Sequence, residues 1–321
     1  MKPAVKPFVR ILGAAALTLC VSTAALAIDS LKVMVPANPG GGWDSTGRAL
    51  VAAMTEAKSI KNAQIDNKGG AAGTIGLAQF VNSAKGDPNA IMIGGMVMVG
   101  GIIQNKSAVD LSQVTPLARL TEEYEVIVVP ANSPHKTIKD LVAAFKANPG
   151  SVSWGGGSAG GTDHILAGMI AKDAGVDAVK VNYVPFKGGG EAVAAIIGGH
   201  VTAGISGVSE FQQHITSGKM RALAVSSPTK QAGIPTLKEQ GINIVLGNWR
   251  GVFGAPGITK AQRDELIKAI DAGVKSKAWE ETLKKNEWMN VWLAGDDYKK
   301  FLDEDIKRIS DILGALSLGK K

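Results

Sequence analysis

Two patterns of hydrophobic and polar residues alternate along most of the chain. Short runs of aliphatic and β-branched residues predict strands, and longer stretches with apolar residues at three- and four-residue spacing predict helices. The predicted strands are residues 31–35, 90–93, 126–129, 152–154, 181–184, 203–206, 222–225 and 251–255. The predicted helices are residues 44–57, 74–83, 137–148, 162–174, 190–197, 209–217, 259–276 and 296–316. Because strands and helices alternate, the sequence predicts an α/β protein whose mainly parallel sheets carry helices on both faces.

Several predicted helices carry signals at their ends. Thr137 and Asp140 fit a capping box at the start of the helix over residues 137–148. Asp44 is assigned the N-cap of the first helix, since a carboxylate there would repel an anionic ligand. In the last helix, apolar residues from Tyr298 to Leu316 recur at three- and four-residue steps, which predicts one buried face.

The first 27 residues depart from this alternation. Three cations, Lys2, Lys6 and Arg10, precede an apolar run over residues 11–21, and an A-x-A sequence ends at Ala27. These are the three regions of a secretory signal, so we predict cleavage after Ala27 and export of the remainder. The apolar run is short for a bilayer-spanning helix, which needs about 20 residues.

Composition excludes several classes of function for the exported part. Cys20 is the only cysteine and lies in the signal, which excludes disulfides, thiolate metal sites and a cysteine nucleophile. The four histidines are widely spaced, so neither a metal site nor another cofactor is expected. Without the three signal cations the net charge of +7 falls to +4. Lysine and arginine are scattered instead of forming a basic stripe, so nucleic-acid binding is not expected.

Glycine-rich segments stand where predicted strands end. The chain has 40 glycines, and four such segments each precede a predicted helix: residues 38–42, 67–70, 155–157 and 188–190. In open α/β sheets, ligands bind in the crevice beyond the carboxyl ends of the strands. Glycine-rich loops that lead into helices offer backbone N–H groups and positive helix ends at that place. The four segments together predict a cleft that binds an anion.

Two enzyme-like motifs overlap in one of these loops. Residues 156–160 match the G-x-S-x-G nucleophile elbow of α/β-hydrolases, with Ser158 as the nucleophile. His200 and His214 follow, but neither lies in a recognisable triad loop. Residues 155–160 also match the dinucleotide motif, yet the next predicted strand lacks the acidic residue that would hold a ribose. We interpret both matches as one anion-binding loop of a protein that is not an enzyme, and a secreted serine hydrolase is kept as the alternative.

Three side chains near these loops have more than one interpretation. Trp43 either forms a wall of the pocket or packs in the core. His164 is either structural or a hydrogen-bonding group at the cleft. Arg250 could bind a ligand carboxylate in bidentate geometry or form an ion pair at the surface or between strands.

Five segments of the chain carry a resemblance to a known family. They are residues 35–44, 67–76, 158–164, 185–191 and 249–257. In sequence, order and spacing they resemble the receptors of the tripartite tricarboxylate transporters, also called the Bug family. The similarity extends from about residue 31 to the C-terminus.

The resemblance implies a fold, a location and partners. The fold is a two-lobed, type II periplasmic-binding-protein fold, expected as a monomer in the periplasm. Its partners are a small-molecule carboxylate and the large and small integral membrane subunits of the transporter. Lobe 1 would comprise residues 28–127 and 249–321 and lobe 2 residues 128–248, with crossovers near residues 126–130 and 244–251.

The resemblance and the loop chemistry together give a predicted set of ligand-binding residues. Its members are Asn38, Gly40, Gly41, Gly42, Trp43, Ala71, Ala72, Gly73, Ser158, Ala159, Thr162, His164, Ser206 and Arg250. The combination of Trp43 and Arg250 is similar to the citrate-type branch of the family, which implies a di- or tricarboxylate. A binding protein that serves a sensor kinase remains an alternative, because the sequence does not separate sensing from transport.

Overall fold

The structure is a computed structural model that describes residues 1, 28–187 and 189–316. The predicted signal segment from residue 2 onwards, its cleavage site and Gly188 lie outside the described residues. Within the part of the chain that is described, no helix is both long enough and apolar enough to cross a bilayer.

Ten strands are present in the described residues. They are β1 (Ile28–Val35), β2 (Ile60–Asn67), β3 (Ala90–Gly95), β4 (Thr115–Pro130), β5 (Ser153–Gly156), β6 (Asn182–Pro185), β7 (Ala203–Gly207), β8 (Met220–Val225), β9 (Gly247–Gly254) and β10 (Met289–Ala294). Each of the eight predicted strands corresponds to one of them, and β2 and β10 were not predicted.

The α-helices lie mainly between these strands. They are α1 (Gly42–Glu56), α2 (Thr74–Ser83), α3 (Met96–Gln104), α4 (Ile138–Ala147), α5 (Thr162–Asp173), α6 (Gly189–Ile197), α7 (Val208–Thr216), α8 (Lys260–Val274), α9 (Lys277–Asn286) and α10 (Gly295–Ala315). Eight of them match predicted helices, and α3 and α9 were not predicted. The predicted capping box at α4 is confirmed, because Thr137 Oγ1 accepts from Asp140 N at 3.2 Å and Asp140 Oδ2 accepts from Thr137 N at 2.8 Å.

The strands form two groups that share the long strand β4. Strands β2, β1, β3, β9 and β4 follow one another in the first group, and β10 also pairs with β4. In the second group, β7, β5 and β6 follow from β4, and β8 pairs with β4 as well. Residues 115–124 of β4 pair with β9, whereas residues 125–130 pair with β7 and β8. The change of partners at Tyr124 and Glu125 joins two α/β lobes through a continuous strand.

The α/β class and the periplasmic-binding-protein fold are confirmed, but the sheets are mixed and not mainly parallel. Four of the nine strand pairings in the described residues are parallel, and each of the others involves β4 or β9. The physical reason is that β4 leaves the first lobe and β9 returns to it. The two therefore run in opposite directions, side by side.

The core is continuous beneath the first group of strands and reaches into the second lobe. Its largest fully buried side chains include Trp154, Trp249 and Trp279. The predicted buried face of the last helix is confirmed, since Tyr298, Leu302, Ile309, Leu313 and Leu316 of α10 and its C-cap are all buried. Phe211 of α7 lies in a smaller apolar cluster of the second lobe, which also contains Val126 and Val128 of β4.

Candidate functional site

A cleft of about 870 Å³, partly continuous with solvent, lies between the lobes. Loops after β1 and β2 form the wall on the first lobe, and loops after β5, β6 and β7 form the facing wall. The crossover strands β4 and β9 form the floor. The first wall contains Pro36, Ala37, Gly41, Gly42, Trp43, Gly69, Gly70, Ala72, Gly73 and Val97. The second wall contains Gly157, Ser158, Asp163, Phe186, Lys187, Gly189, Ala192, Ile205, Ser206, Gly207 and Glu210, and the floor contains Glu123, Glu125, Asn248 and Arg250.

Six of the described helices begin at or beside this cleft, including α3, whose first turn places Val97 in the first wall. The N-caps of α1, α2, α5 and α7 are the glycines Gly41, Gly73, Gly161 and Gly207, and none is capped by a side chain. Helix α6 begins at Gly189, which lines the second wall. The first N–H groups of a helix have no partner inside the helix, and the helix dipole places positive charge there. Helices of both lobes therefore begin at the cleft, and their N–H groups suit an anion where no acidic side chain lies beside them, as on the first wall.

The loop before α2 holds a backbone conformation that is rare for alanine. Ala71 and Ala72 have φ of 46° and 55°, between Gly70 at 128° and Gly73 at 88°. A residue with a Cβ in the left-handed region costs about 1–2 kcal/mol. The Ala71 carbonyl accepts from Thr74 Oγ1 at 2.9 Å and from Asn105 Nδ2 at 3.2 Å, which holds the turn. Such strain clusters at functional sites.

Asp44 joins the two loops of the first wall, and its assignment as an N-cap is wrong. Helix α1 begins at Gly42, so Asp44 lies in the first turn. Its Oδ2 accepts from Gly40 N and Arg48 Nε, both at 2.9 Å, and its Oδ1 accepts from Asn67 Nδ2 at 3.0 Å. Burial disfavours the ionised carboxyl, but these hydrogen bonds hold its pKa below the ordinary value.

Four carboxyl side chains face the cleft, and sequence reasoning missed all of them. Glu123 and Glu125 lie on β4, where alternate residues point to the same face of a sheet. Asp163 and Glu210 lie in the first turns of α5 and α7. Glu125 is fully buried, neither of its carboxyl oxygens accepts from an N–H or hydroxyl group of the described residues, and its carboxyl lies within hydrogen-bonding reach of Asp163.

The crowding of these acids changes their pKa values. Burial raises the pKa of Glu125 well above its ordinary value, and repulsion from Asp163, Glu123 and Glu210 adds to this. Burial also raises the pKa of Asp163 to about 7, although Gly157 N donates to its Oδ2 at 2.6 Å and opposes the shift. The pKa of Glu123 is raised by burial against the attraction of Arg250. The carboxyls of the second wall and the floor are therefore most stable when they are protonated or when a cation lies beside them.

Arg250 forms an ion pair between strands, one of its two predicted interpretations. Its Nη2 contacts Glu123 Oε1, and both side chains are almost completely buried. Trp288 Nε1 donates to the other oxygen of Glu123 at 3.0 Å, and the guanidinium lies 4.8 Å from the centre of the Trp288 ring. Arg250 Nη1 also lies 3.4 Å from Thr46 Oγ1. Arg250 lines the cleft, and its binding of a ligand carboxylate stays a prediction.

Eight members of the predicted ligand-binding set line the cleft. They are Gly41, Gly42, Trp43, Ala72, Gly73, Ser158, Ser206 and Arg250. Trp43 fits both of its interpretations, because it lines the cleft and is also part of the core. The other six are absent from this lining: Asn38, Gly40, Ala71, Ala159, Thr162 and His164.

Those six residues lie beside or behind the cleft surface. Asn38, Gly40 and Ala71 are exposed on the first-wall loops, and Ala159 is partly exposed on the loop before α5. Thr162 is fully buried at the start of α5.

His164 supports the loop before α5. Its Nδ1 accepts from Gly160 N at 3.1 Å, and its ring stacks on Tyr183 at 4.3 Å. Burial lowers the pKa of His164 to about 4, so the ring is neutral at pH 7.

Within the described residues, Ser158 Oγ makes no hydrogen bond to a histidine. No group of three or more Asp, Glu, His or Cys side chains in this part of the chain could hold a metal ion.

The two lobes, the paired crossover strands and the cleft with its helix ends define a solute-binding protein of the periplasmic type. Residues 49–318 match the family described as the tripartite tricarboxylate transporter family receptor. The chain therefore belongs to this family, as its five sequence segments predicted.

Curated relatives and solved structures agree with this assignment. A UPF0065 protein in the gbd 5' region of Cupriavidus necator is 29% identical over 60% of this chain and 59% of its own length. Protein BugT of Bordetella pertussis is 24% identical over 88% of both chains. The periplasmic binding protein BugD has the same fold, with a TM-score of 0.81 and 22% identity over 90% of this chain and 98% of BugD.

Two further structures of this fold contain carboxylates. MatC from Rhodopseudomonas palustris with bound malate has a TM-score of 0.76 and 20% identity, over 89% of this chain and 99% of MatC. Another R. palustris protein, with adipate, has a TM-score of 0.78 and 20% identity, over 90% of this chain and 97% of that protein.

Proposed function

We propose that this chain is a periplasmic receptor that captures a small carboxylate in the cleft and delivers it to the large and small membrane subunits of a tripartite tricarboxylate transporter. The observation that carries the proposal is the pair of helix starts on the first wall, where the N-cap glycines Gly41 of α1 and Gly73 of α2 line the cleft and carry no side-chain cap. Backbone N–H groups at such ends bind carboxylates without needing a cationic side chain. The malate and adipate of the similar structures are small carboxylates, which supports the same ligand class here.

We further propose that the ligand carboxylate docks on the first-wall loops and not on Arg250. The guanidinium is already paired with Glu123 and packed on Trp288, so a ligand carboxylate would have to compete with a buried ion pair. Although Arg250 and Glu210 both reach Gly42 at the start of α1, the first wall contributes no acidic side chain of its own, and its backbone can bind a carboxylate without breaking that ion pair. This weighs against the citrate-like ligand predicted from the pair of Trp43 and Arg250.

Ligand binding is expected to raise the melting temperature of the purified protein. A carboxylate at 100 times its Kd adds about 2.7 kcal/mol to the free energy of unfolding. For a chain of this size we expect a shift of about 5–10 °C. The measurement is a thermal-shift screen of mono-, di- and tricarboxylates and amino-substituted carboxylates, confirmed by calorimetry, with the matching amides as uncharged controls. If no carboxylate moves the melting temperature of protein freed of co-purified ligand, the proposed function is wrong.

Closure of the lobes is expected to depend on close contact between α3 and the loop before α5. A Cβ on Gly100 of α3 would overlap the carbonyl oxygen of Gly160, across the two lobes. Gly100→Ala should therefore hold the lobes apart. Overpacking of this kind costs about 1–3 kcal/mol, which corresponds to about 5- to 150-fold weaker ligand binding if the closed state bears the cost.

Calorimetric Kd values of the wild type and the Gly100→Ala variant test this. Gly314→Ala in α10 is the matched control, because a Cβ there meets nothing within 4 Å. An unchanged Kd in Gly100→Ala would mean that binding does not require this contact between the lobes.

A further inference from the structure

We infer that the ligand carries a protonated nitrogen as well as a carboxylate, and that Glu125, Asp163 and Glu210 bind the nitrogen. The inference rests on the proposed function, since it names the substrate class of the same cleft. A ligand of this class is an amino-substituted carboxylate, not a simple di- or tricarboxylate.

The cleft is chemically asymmetric. All four acids that line it belong to the second lobe or to β4: Glu123, Glu125, Asp163 and Glu210. The wall on the first lobe consists of glycines, small apolar residues and Trp43. A molecule with one anionic and one cationic group matches this division, whereas a ligand with carboxylates at both ends would bring one of them to an acidic wall.

Glu125 is the strongest single observation. It lines the cleft, it is fully buried, and neither oxygen accepts from an N–H or hydroxyl group of the described residues. The group within hydrogen-bonding reach of its carboxyl is Asp163, another acid of the same cluster. A buried carboxylate without a partner is costly, and polar groups of this kind in folded proteins usually satisfy a ligand or another group. An ammonium group offers up to three donors, which suits a set of carboxyl oxygens.

None of the described ion pairs neutralises these three acids, although the attraction of Arg250 partly opposes the raised pKa of Glu125. Arg250 pairs with Glu123, and none of the ion pairs between described residues includes Glu125, Asp163 or Glu210. Lys187 also lines the cleft, but it is exposed. Three carboxyls thus face the cleft without a cationic partner.

Helix stabilisation accounts for only part of the acidic cluster. Acids in the first turn of a helix interact favourably with its dipole, which gives Asp163 and Glu210 a structural role. Glu125 lies on a strand, so the helix dipole gives no reason for its presence. A metal ion is a poorer fit than an organic cation, because its oxygen ligands must converge to about 2.0–2.6 Å and no group of three or more described acids could hold one. Hydrogen bonds from an ammonium group are longer and span about 2.7–2.9 Å.

The two walls are close enough for one small ligand to reach both. A Cβ built on Gly42, at the start of α1, would overlap the Arg250 guanidinium and would lie 3.1 Å from Glu210 Oε1. Glu210 Oε2 accepts from Ser206 Oγ at 2.5 Å, which fixes this carboxyl against the cleft. A carboxylate at the start of α1, beside the Arg250 guanidinium, and a nitrogen a few bonds away could therefore bind at the same time.

The test compares carboxylates with their amino-substituted counterparts by calorimetry at pH 7.5. The pairs are butyrate with 4-aminobutyrate and succinate with aspartate, and 1,4-diaminobutane is the amine without a carboxylate. A hydrogen bond to a charged group contributes about 1.5–3 kcal/mol, so the amino compound of at least one pair should bind about 10- to 150-fold more tightly. Glu125→Gln should remove most of this difference.

Glu122→Gln is the matched control, because Glu122 is on the same strand and is absent from the cleft lining. It should keep the preference for the amino compound. Circular dichroism checks that each variant folds, and Glu210→Gln gives the same comparison if Glu125→Gln does not fold.

The outcomes separate the inference from the proposed function. If the plain and amino compounds bind equally well, the inference is overturned and the carboxylate receptor stands. Plain carboxylates that bind tightly only below about pH 6 would also overturn it, because the acids would then act as neutral hydrogen-bond donors. If no compound with a carboxylate binds, or if the diamine binds as tightly as 4-aminobutyrate, the proposed function fails as well.

Discussion

Replacement of Arg250 by methionine is expected to lower the free energy of unfolding by about 3–5 kcal/mol, because it leaves Glu123 as a buried acid without its ion-pair partner. Both members of the pair are almost completely buried, and Trp288 packs on the guanidinium while it donates to the carboxylate. The loss should shrink towards low pH, since the pKa of Glu123 is already raised by burial and protonation removes the unpaired charge.

Urea unfolding of ligand-free protein measures this effect. The double variant Arg250→Met with Glu123→Gln should recover most of the stability, because no buried charge is then left unpaired. Lys299→Met is the surface control, since its pair with Asp303 is well exposed and should contribute little. A loss in Arg250→Met no larger than that in the control would contradict the structural role of this ion pair.

The same double variant tests the sequence-based hypothesis for Arg250. If Arg250 anchored a second carboxylate, the double variant would bind tricarboxylates far more weakly and monocarboxylates almost unchanged. We expect no such selective loss, because the guanidinium is committed to Glu123.

The alternation of strands and helices could be predicted from the sequence because most elements are amphipathic or bounded by glycine. Strand β2 was missed because only Ile60 of its eight residues is buried, so its polar sequence lacks a strand pattern. Helix α3 is apolar on all sides and contains Gly100 and Gly101, so its sequence has no helical period. Helix α9 is rich in charged residues and begins three residues after α8 ends, where the sequence shows no break.

The glycine-rich half of the candidate site was predicted from the sequence, and the acidic half was not. Glycines before a helix indicate an unusual backbone conformation through the local sequence alone. Residues such as Gly41 and Gly73 were predicted for this reason. The acidic half depends on tertiary contacts between elements far apart in the chain. Asp163 and Glu210 look like ordinary first-turn acids, and Glu123 looks like surface. The one available signal was Glu125 directly before the apolar end of β4, where a buried strand should not begin with a carboxylate.

Asp163 and its neighbour His164 are expected to give the ligand-free protein opposite pH dependences of stability. Burial raises the pKa of Asp163 from its ordinary 3.8 to about 7, so the unfolded chain loses this proton first as the pH rises. The stability that Asp163 contributes at low pH is then lost between about pH 4 and 7. Burial lowers the pKa of His164 from 6.5 to about 4, so the unfolded chain binds this proton first as the pH falls. The contribution of His164 is present above about pH 6.5 and is lost towards pH 4.

Two single variants separate these contributions. Asp163→Asn keeps an oxygen that can accept from Gly157 N, and its stability relative to the wild type should rise with pH by at most about 1.4 kcal/mol per unit between pH 4 and 7. The slope should lie below this limit, because Asp163 is partly exposed to the cleft. His164→Gln keeps an acceptor for Gly160 N. The stability of this variant relative to the wild type should rise as the pH falls from 6.5 to 4, opposite to the trend for Asp163→Asn.

Urea unfolding at half-unit steps from pH 4.5 to 7.5 measures both slopes. Asp303→Asn in α10 is the control, because Asp303 is exposed and its variant should give a nearly flat difference. Two difference curves with slopes of the same sign would contradict the burial of one of the two groups. A flat curve for Asp163→Asn alone would mean that the acids of the cleft stay ionised without a ligand, because solvent in the cleft then stabilises their charges.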